Sequence, residues 1–342
     1  VAAYSMDGAT GSTVPLVYSV TRAGPSPTNN TIVNFTVQFS EAVTGVNSTD
    51  FTPVMTGAVA GANVTGVTPD SLDASLYTVH VNTGTGDGNI KLDVNSSNTG
   101  IVDTNENQPL NGGFTTGESY IIDKTPPTPN PFTLTSPNPT NATNVNFTID
   151  FNESVTGVDI NDFDLVDMGV SGASITSVTP VNSKSYSISI NTGSGDGTIN
   201  LLLWPSPISS ITDLASNPLN VPIPGLLSGQ YTIDKVAPST SSSSLASSNP
   251  TSSSTVDFTV TFPEPVSGVD VNDFALTTTG VFGAVVNGIS GSGSEYTITV
   301  DTGYGNGTIR LDVPVDASIS DLTGNQLTGL PYTSGESYTV TI

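Results

Sequence analysis

The amino-acid sequence predicts an all-β protein: three tandem antiparallel β-sandwich domains in an extended rod. Three observations predict it. A block of about 110 residues, the size of a self-contained domain rather than of a solenoid turn, fills the chain in three near-copies. Apolar and polar residues alternate with period two through much of each block, and helix-type periodicity is nearly missing. The 34 Gly and 24 Pro punctuate the apolar runs rather than fill them, as in sandwiches of short strands.

The elements follow in order along each block. The first strand landmark reads Val33-Asn34-Phe35-Thr36-Val37, then Val145-Asn146-Phe147-Thr148-Ile149, then Val256-Asp257-Phe258-Thr259-Val260. Phe39-Ser40-Glu41-Ala42-Val43-Thr44-Gly45-Val46 returns at 151–158 and 262–269, followed by Asp50-Phe51, Asp162-Phe163 and Asp273-Phe274. Tyr77-Thr78-Val79-His80-Val81, Tyr186-Ser187-Ile188-Ser189-Ile190 and Tyr296-Thr297-Ile298-Thr299-Val300 alternate strictly. That alternation places Tyr, Val and Ile inward and Thr, Ser and His outward on a half-buried strand. Gly-rich segments at 83–88, 192–197 and 302–307 come next, then strands such as Ile90-Lys91-Leu92-Asp93-Val94. Asp87-Gly88, Asp196-Gly197 and Asn306-Gly307 carry the residue types of tight turns, so each pair of strands is expected to form a hairpin.

Each block closes on a Tyr-led strand and a proline-stiffened linker: Tyr120-Ile121-Ile122-Asp123-Lys124-Thr125-Pro126-Pro127 and Tyr231-Thr232-Ile233-Asp234-Lys235-Val236-Ala237-Pro238. The expected domains are 8–123, 124–234 and 235–342. Joints this short restrict the angle between neighbours, which predicts a rod on the order of 100 Å long. Tyr4-Ser5-Met6-Asp7 matches the closing strands, so residues 1–7 read as a leading strand, with Val1, Tyr4 and Met6 as its candidate assembly residues. Two accounts stand: excision from a longer array, or a strand exchanged with a neighbouring subunit. At Tyr338-Thr339-Val340-Thr341-Ile342 the strand recurs with Thr341 in place of the linker Asp.

Composition narrows the function classes. Six Lys plus Arg against 30 Asp plus Glu give a net charge of −24, which repels nucleic acid and anionic headgroups. Charged residues are only 11 % of the chain, so its polar surface is mostly Ser, Thr, Asn and Gly. Cysteine is absent, which removes disulfides and thiolate metal sites. No apolar run is long enough to span a membrane, and Val1-Ala2-Ala3 opens no signal-peptide pattern.

The F-x-E-x-V-x-G-V block (with Pro for Ala or Ser in the third copy's fourth place), the Asp-Phe pair, the Tyr strand, the T-G-x-G-[D/N]-G segment, the Asp-x-x-x-Asn motif and the linker together resemble bacterial Ig-like repeats of long surface adhesins and exported fibre or stalk proteins. The resemblance covers nearly the whole chain. It implies three Ig-like sandwiches and a non-catalytic, extracellular or cell-surface structural role, as a subunit or segment of a fibre, filament or stalk that self-associates. An adhesin segment binding a glycan or host protein through its loops is the alternative, with the longer opening segment of repeat one, residues 8–31, as the place to look. A third reading is a non-catalytic accessory region of a secreted enzyme.

The resemblance also implies calcium at acidic loops near the domain joints. The candidate ligands recur in every copy: Glu41, Glu153 and Glu264; Asp50, Asp162 and Asp273; Asp103, Asp213 and Asp321; and the linker residues Asp123 and Asp234. Calcium takes about six to eight oxygen ligands, which carboxylates and carbonyls supply. Asp159-Ile160-Asn161-Asp162 lacks the closing Gly and Glu of an EF-hand. The competing reading makes the same residues side-chain-to-backbone turns, and the Asp-x-x-x-Asn motifs at 103–107, 213–217 and 321–325 are expected to shape loops. No catalytic residue is expected: His80, the single histidine, has no counterpart in the other copies. Trp204 is expected in the core of the second domain. Sequons fall at Asn29, Asn34, Asn47, Asn63, Asn95, Asn141, Asn146, Asn152 and Asn306, and Ser239-Thr240-Ser241-Ser242-Ser243-Ser244 is an O-glycosylation candidate or a plain loop.

Overall fold

A computed structural model describes residues 14–342; the proposed leading strand with Val1, Tyr4 and Met6 lies outside the described residues. Each repeat builds two main antiparallel sheets on one plan, with a two-stranded pairing beside them, Val43–Thr44 with Val102–Asp103 in the first. In the first, Val17–Arg22, Ile32–Phe39, Leu76–Asn82 and Asn63–Pro69 form one sheet in the order first, second, fifth, fourth, and Phe51–Gly57, Gly88–Val94 and Ser119–Ile122 form the other. This is the four-plus-three strand order of the constant-type Ig sandwich. The second and third repeats keep it, with Asn144–Asp150 and Thr255–Thr261 as the second strands and Gly197–Leu203 and Gly307–Asp312 as the sixth. In the second repeat Leu226–Leu227 adds a short extra pairing to Gly197–Leu203.

The alternation seen in sequence is the cause of the packing. Val33, Phe35, Val37 and Phe39 point inward from one strand and meet Tyr77, Val79 and Val81 from the next, all buried. Three separate apolar cores result, spanning residues 20–122, 132–233 and 256–340. The closing tyrosine locks each core. Tyr120, Tyr231 and Tyr338 pack edge-on against Phe35, Phe147 and Phe258 at 5.2, 4.9 and 5.1 Å between ring centroids. Their hydroxyls donate to the carbonyls of Asn34, Asn146 and Asp257 at 2.9, 2.8 and 2.8 Å. A buried phenol thus finds its acceptor on the opposite sheet.

Two sequence expectations are corrected here. The strand pairs flanking residues 83–88, 192–197 and 302–307 are not hairpins: Leu76–Asn82 pairs with Ile32–Phe39 and Asn63–Pro69, while Gly88–Val94 pairs with Phe51–Gly57 and Ser119–Ile122. The Gly-rich segment is a crossover between sheets, and its positive-φ residues are Gly84, Gly86 and Gly88 at φ 65°, 77° and 152°. A Cβ on Gly84 would lie 2.0 Å from the Ala60 carbonyl oxygen, so the bend requires glycine there. Trp204 is half-buried and stands outside the core of the second repeat, where Phe132, Phe147 and Tyr231 supply the bulk.

Asp50, Asp162 and Asp273 are buried and serve the backbone. Each closes a capping box on a short 3₁₀ turn, accepting the N–H of Asn47, Asp159 or Asp270 at 2.7 Å. In repeats two and three the other carboxylate oxygen accepts the N–H of Ser210 or Ser318 at 2.8 and 2.6 Å, with the serine hydroxyl beside it. Gly100 holds that place in repeat one; its backbone N–H lies close enough to the Asp50 carboxylate to lower its pKa somewhat, but is too poorly placed to give the buried Oδ1 a well-formed hydrogen bond, and no hydroxyl stands beside it. Burial pushes the Asp50 carboxyl above its ordinary range. A Cβ on Gly100 meets nothing closer than 3.6 Å. Gly100→Ser is therefore expected to stabilise the first repeat by about 1 kcal/mol, read as a higher melting temperature than that of the unaltered chain.

Candidate functional site

The closing strand of one repeat hands over to the next at a joint whose parts recur. The Asp123 N–H donates to the Thr28 carbonyl at 3.1 Å and the Asp234 N–H to Thr140 at 3.0 Å. One residue on, the Lys124 and Lys235 N–H groups donate to Asp87 Oδ1 and Asp196 Oδ1 at 2.6 and 2.7 Å. The acids that sequence marks as turn formers therefore aim the linker.

The incoming repeat completes the joint. Asp213 is 2 % exposed; its Oδ1 accepts the N–H groups of Ala215 and Asn217, and its Oδ2 accepts Asn217 Nδ2 at 2.7 Å. Held this way, Asn217 Nδ2 also donates to the Asp123 carbonyl at 2.9 Å, while Asn29 Nδ2 donates to Asn217 Oδ1 at 3.1 Å. The second joint repeats the clasp. Asn325 Nδ2 donates to Asp321 Oδ2 at 2.7 Å and to the Asp234 carbonyl at 3.0 Å, and Asn141 Nδ2 donates to Asn325 Oδ1 at 3.2 Å. The Asp-x-x-x-Asn motif shapes its loop as expected. Its asparagine is also the clasp between repeats, a role that a motif read within one block does not reveal.

A carboxylate triad lies against each clasp: Asp123, Glu153 and Asp213 at the first joint, Asp234, Glu264 and Asp321 at the second, with ligand-capable oxygens within 4.8 Å of one another. Burial is the main reason that Asp123, Glu153, Asp234 and Glu264 all titrate above their ordinary range. The neighbouring acids push the same way, Asp87 included at the first joint and Asp196 at the second. Lys184 partly offsets this for Glu153. For Asp321, burial is outweighed by hydrogen bonds from Asn325 and Thr323, which hold its carboxyl below the usual range. All donors in both triads are oxygen, and ligands on opposite sides of one calcium ion lie at most about 5 Å apart.

The remaining candidates are placed as follows. Asp50, Asp162 and Asp273 stay with their capping boxes and join neither triad. Glu41 and Asp103 occupy in repeat one the positions of Glu153 and Asp213, and Asp103 is held low first by the Glu106 N–H and further by Gln108 and Asn105. The loop there is one residue longer: the Asp103 N–H donates to the Gln108 carbonyl, where Asp213 and Asp321 donate to Asn217 and Asn325. Gln108, not Asn107, is thus the counterpart of the clasp asparagines. His80 is half-buried, its ring nitrogens 2.8 Å from Asn34 Oδ1 and 3.0 Å from Thr68 Oγ1. Of the sequon residues, Asn29 and Asn141 are clasp members. Asn95 Nδ2 donates to the Thr49 carbonyl, and Asn63 stands exposed on a strand.

No family model matches the chain, and no curated protein matches it. Solved structures similar to it include bacterial adhesins. The adhesin FdeC of Escherichia coli is 15 % identical with a TM-score of 0.44, over 95 % of this chain and 96 % of that one. InvD of Yersinia pseudotuberculosis is 14 % identical with a TM-score of 0.34, over 92 % and 86 %. The surface layer protein SbsC, domains 1-6, is 12 % identical with a TM-score of 0.22, over 93 % and 55 %.

Raised carboxyls bind protons in the folded chain that the unfolded chain has already released, so their contribution to stability falls as pH rises through that window. With divalent cations chelated, the melting temperature is expected to rise as pH is lowered from neutral towards the ordinary carboxylate range. It should fall again at lower pH, where Asp103 and Asp321 take up protons. A scanning-calorimetry pH series checks both limbs.

Proposed function

We propose that this chain is a non-catalytic structural element of the cell exterior, in which Ig-like modules joined in series hold distance within a surface fibre, filament or stalk. The observation that carries the reading is the joint itself. The same asparagine amide, the same buried aspartate and the same linker geometry recur at both handovers. A connection built twice to one plan fixes the relation between neighbours, which serves a spacer and adds nothing to a reaction centre. The single histidine is engaged on both ring nitrogens, and the clustered acids sit at joints.

Calcium is the cation this reading assigns to the joints. Asp123, Glu153 and Asp213 would hold one ion, and Asp234, Glu264 and Asp321 another. A divalent charge would offset the mutual repulsion of groups that burial and their neighbours already disfavour as anions. The hard, all-oxygen donor set suits calcium over zinc or copper.

One observation favours the adhesin alternative. Phe282 and Tyr304 stack at 5.8 Å and 29° while 61 % and 68 % exposed. The same bridge position carries Ala60 with Thr85 in repeat one and Ser171 with Ser194 in repeat two. An exposed aromatic pair set on one module alone is a contact surface of the kind that binds a partner.

Calcium is expected to raise the melting temperature by several degrees over chelated protein. Glu264→Gln should remove most of the gain at the second joint and leave the chelated protein at least as stable as the unaltered one, since one buried charge is gone. An unchanged melting curve with calcium would remove the metal from this reading. For the adhesin alternative, a glycan array should show binding that is lost in the Phe282→Ala, Tyr304→Ala double variant.

A further inference from the structure

The opening strands of the three repeats occupy one place in the fold and differ in what holds them there. Pairing sets the equivalence: Val20 lies opposite Val37 and Arg22 opposite Phe35, Ser243 opposite Val260 and Leu245 opposite Phe258, and Leu134 opposite Phe147. The position two residues before Arg22, Leu134 or Leu245 is therefore Val20, Phe132 or Ser243, and all three are buried. Val20 fills it with a branched side chain. Phe132 fills it with a ring set edge-on to Phe147 and Phe163 at 6.2 and 6.3 Å. Ser243 brings a hydroxyl that is buried with no hydrogen-bond partner among the described residues, and Thr240, three residues earlier, brings another. Unpaired buried hydroxyls, one of them in a position that forgoes apolar contact, leave Ser242–Leu245 poorly anchored and prone to local opening.

The place under this strand is fitted for a different one. In the first repeat Glu118 Oε2 accepts the Arg22 N–H at 2.8 Å and lies 3.5 Å from Arg22 Nε, and the guanidinium stands over the Tyr120 ring at 5.9 Å. In the third repeat Glu336 Oε2 accepts the Leu245 N–H at 2.8 Å, and the buried Tyr338 takes the place of Tyr120. Leu245 offers neither of them a cation, and no ion pair to Glu336 exists among the described residues. The second repeat has no such mismatch, since Gln230 stands in the glutamate's place.

We propose that the opening strand of the third repeat is releasable, and that the place it leaves docks an extended segment of a partner protein with an apolar residue where Ser243 stands and an arginine two residues on. This goes beyond the spacer role above and gives one module a partner. The incoming strand pairs with Thr255–Thr261 and takes up the Glu336 N–H, which in the closed state donates to the Ser243 carbonyl at 2.9 Å. Its arginine meets the Glu336 carboxylate and the Tyr338 ring, as Arg22 meets Glu118 and Tyr120. Main-chain bonds supply the affinity of such strand addition, and the two side chains supply the selection. Val20-Thr21-Arg22 shows the required pattern seated on the same architecture. The occupant is a basic partner and not a second copy, because a chain of net charge −24 draws basic segments toward it and repels its own kind.

A labelled peptide with the sequence of residues 16–24, which carries Val20 and Arg22, is the probe, added to the full chain and followed by fluorescence anisotropy and hydrogen–deuterium exchange. Without peptide, the amides of Ser242–Leu245 are expected to exchange about tenfold faster than those of Val17–Arg22. With it, saturable binding is expected, together with protection along Thr255–Thr261. Val20→Ser in the peptide should weaken binding about tenfold, and Glu336→Gln in the chain about two- to fivefold. Ser243→Val gives the resident strand its missing apolar anchor, so it should slow that strand's exchange and weaken peptide binding about tenfold. A peptide that does not bind, or binding untouched by Ser243→Val, would overturn the proposal; the spacer reading stands or falls separately, on images of the rods. Self-association of the chain that Ser243→Val abolishes would overturn it in favour of a second copy as occupant.

Discussion

The end of a β-strand leaves a carbonyl that needs a donor, and in a string of sandwiches that carbonyl faces the next module rather than open solvent. Here the donor is an asparagine amide from the following repeat, and a buried aspartate sets the amide's direction. Much of the molecule's organisation follows from this one bond. The aspartate must be buried to hold the asparagine still, and its burial brings negative charge into the joint. The glutamate two residues after the recurring Phe and the linker aspartate then bring more. The tyrosine lock, with its hydroxyl on the second strand's carbonyl, keeps the closing strand where the next repeat can reach it.

The two joints share a plan and differ in electrostatics. Lys184, in the loop before Ser185–Asn191, offsets the acids around Glu153 and donates to the Asn152 carbonyl at 3.1 Å. Its backbone carbonyl accepts the Phe151 N–H, and in repeat three Ser294 accepts the Phe262 N–H at the equivalent place. The second joint therefore lacks the counter-charge that the first possesses. A chain with a net charge of −24 concentrates part of that charge at its joints, and the local balance there sets how each joint responds to protons and cations.

Much of the fold is legible in the sequence because period-two alternation and a repeated block are direct consequences of half-buried strands. Val33 to Phe39 and Tyr77 to Val81 are buried residue by residue as the alternation predicts. The crossover at 83–88 is misread as a hairpin because a bend between sheets and a bend within one need the same Gly-rich chemistry, and only pairing partners tell them apart. Among the candidate acids, sequence cannot separate capping from clustering. Asp50 and Asp103 look alike in a linear reading, yet one closes a 3₁₀ turn and the other anchors an incoming loop. The clasp is hidden for a different reason. Asn217 acts on the preceding repeat, and the extra residue before Gln108 moves the repeat-one counterpart out of the motif's register.

The closing strand also runs beside the opening of its own repeat, with parallel bridges at Thr28 and Ile122, Thr140 and Ile233, and Thr251 and Val340. In the first repeat the Glu118 N–H donates to the Val20 carbonyl, and in the third the Glu336 N–H donates to that of Ser243. Pulling the two ends of a repeat apart would load these bonds side by side, in shear, so that they must fail together instead of unzipping one after another. Resistance of that kind is set by the barrier to rupture and not by equilibrium stability. A thread made of these modules would hold under drag at tensions where its free energy of folding alone predicts little strength.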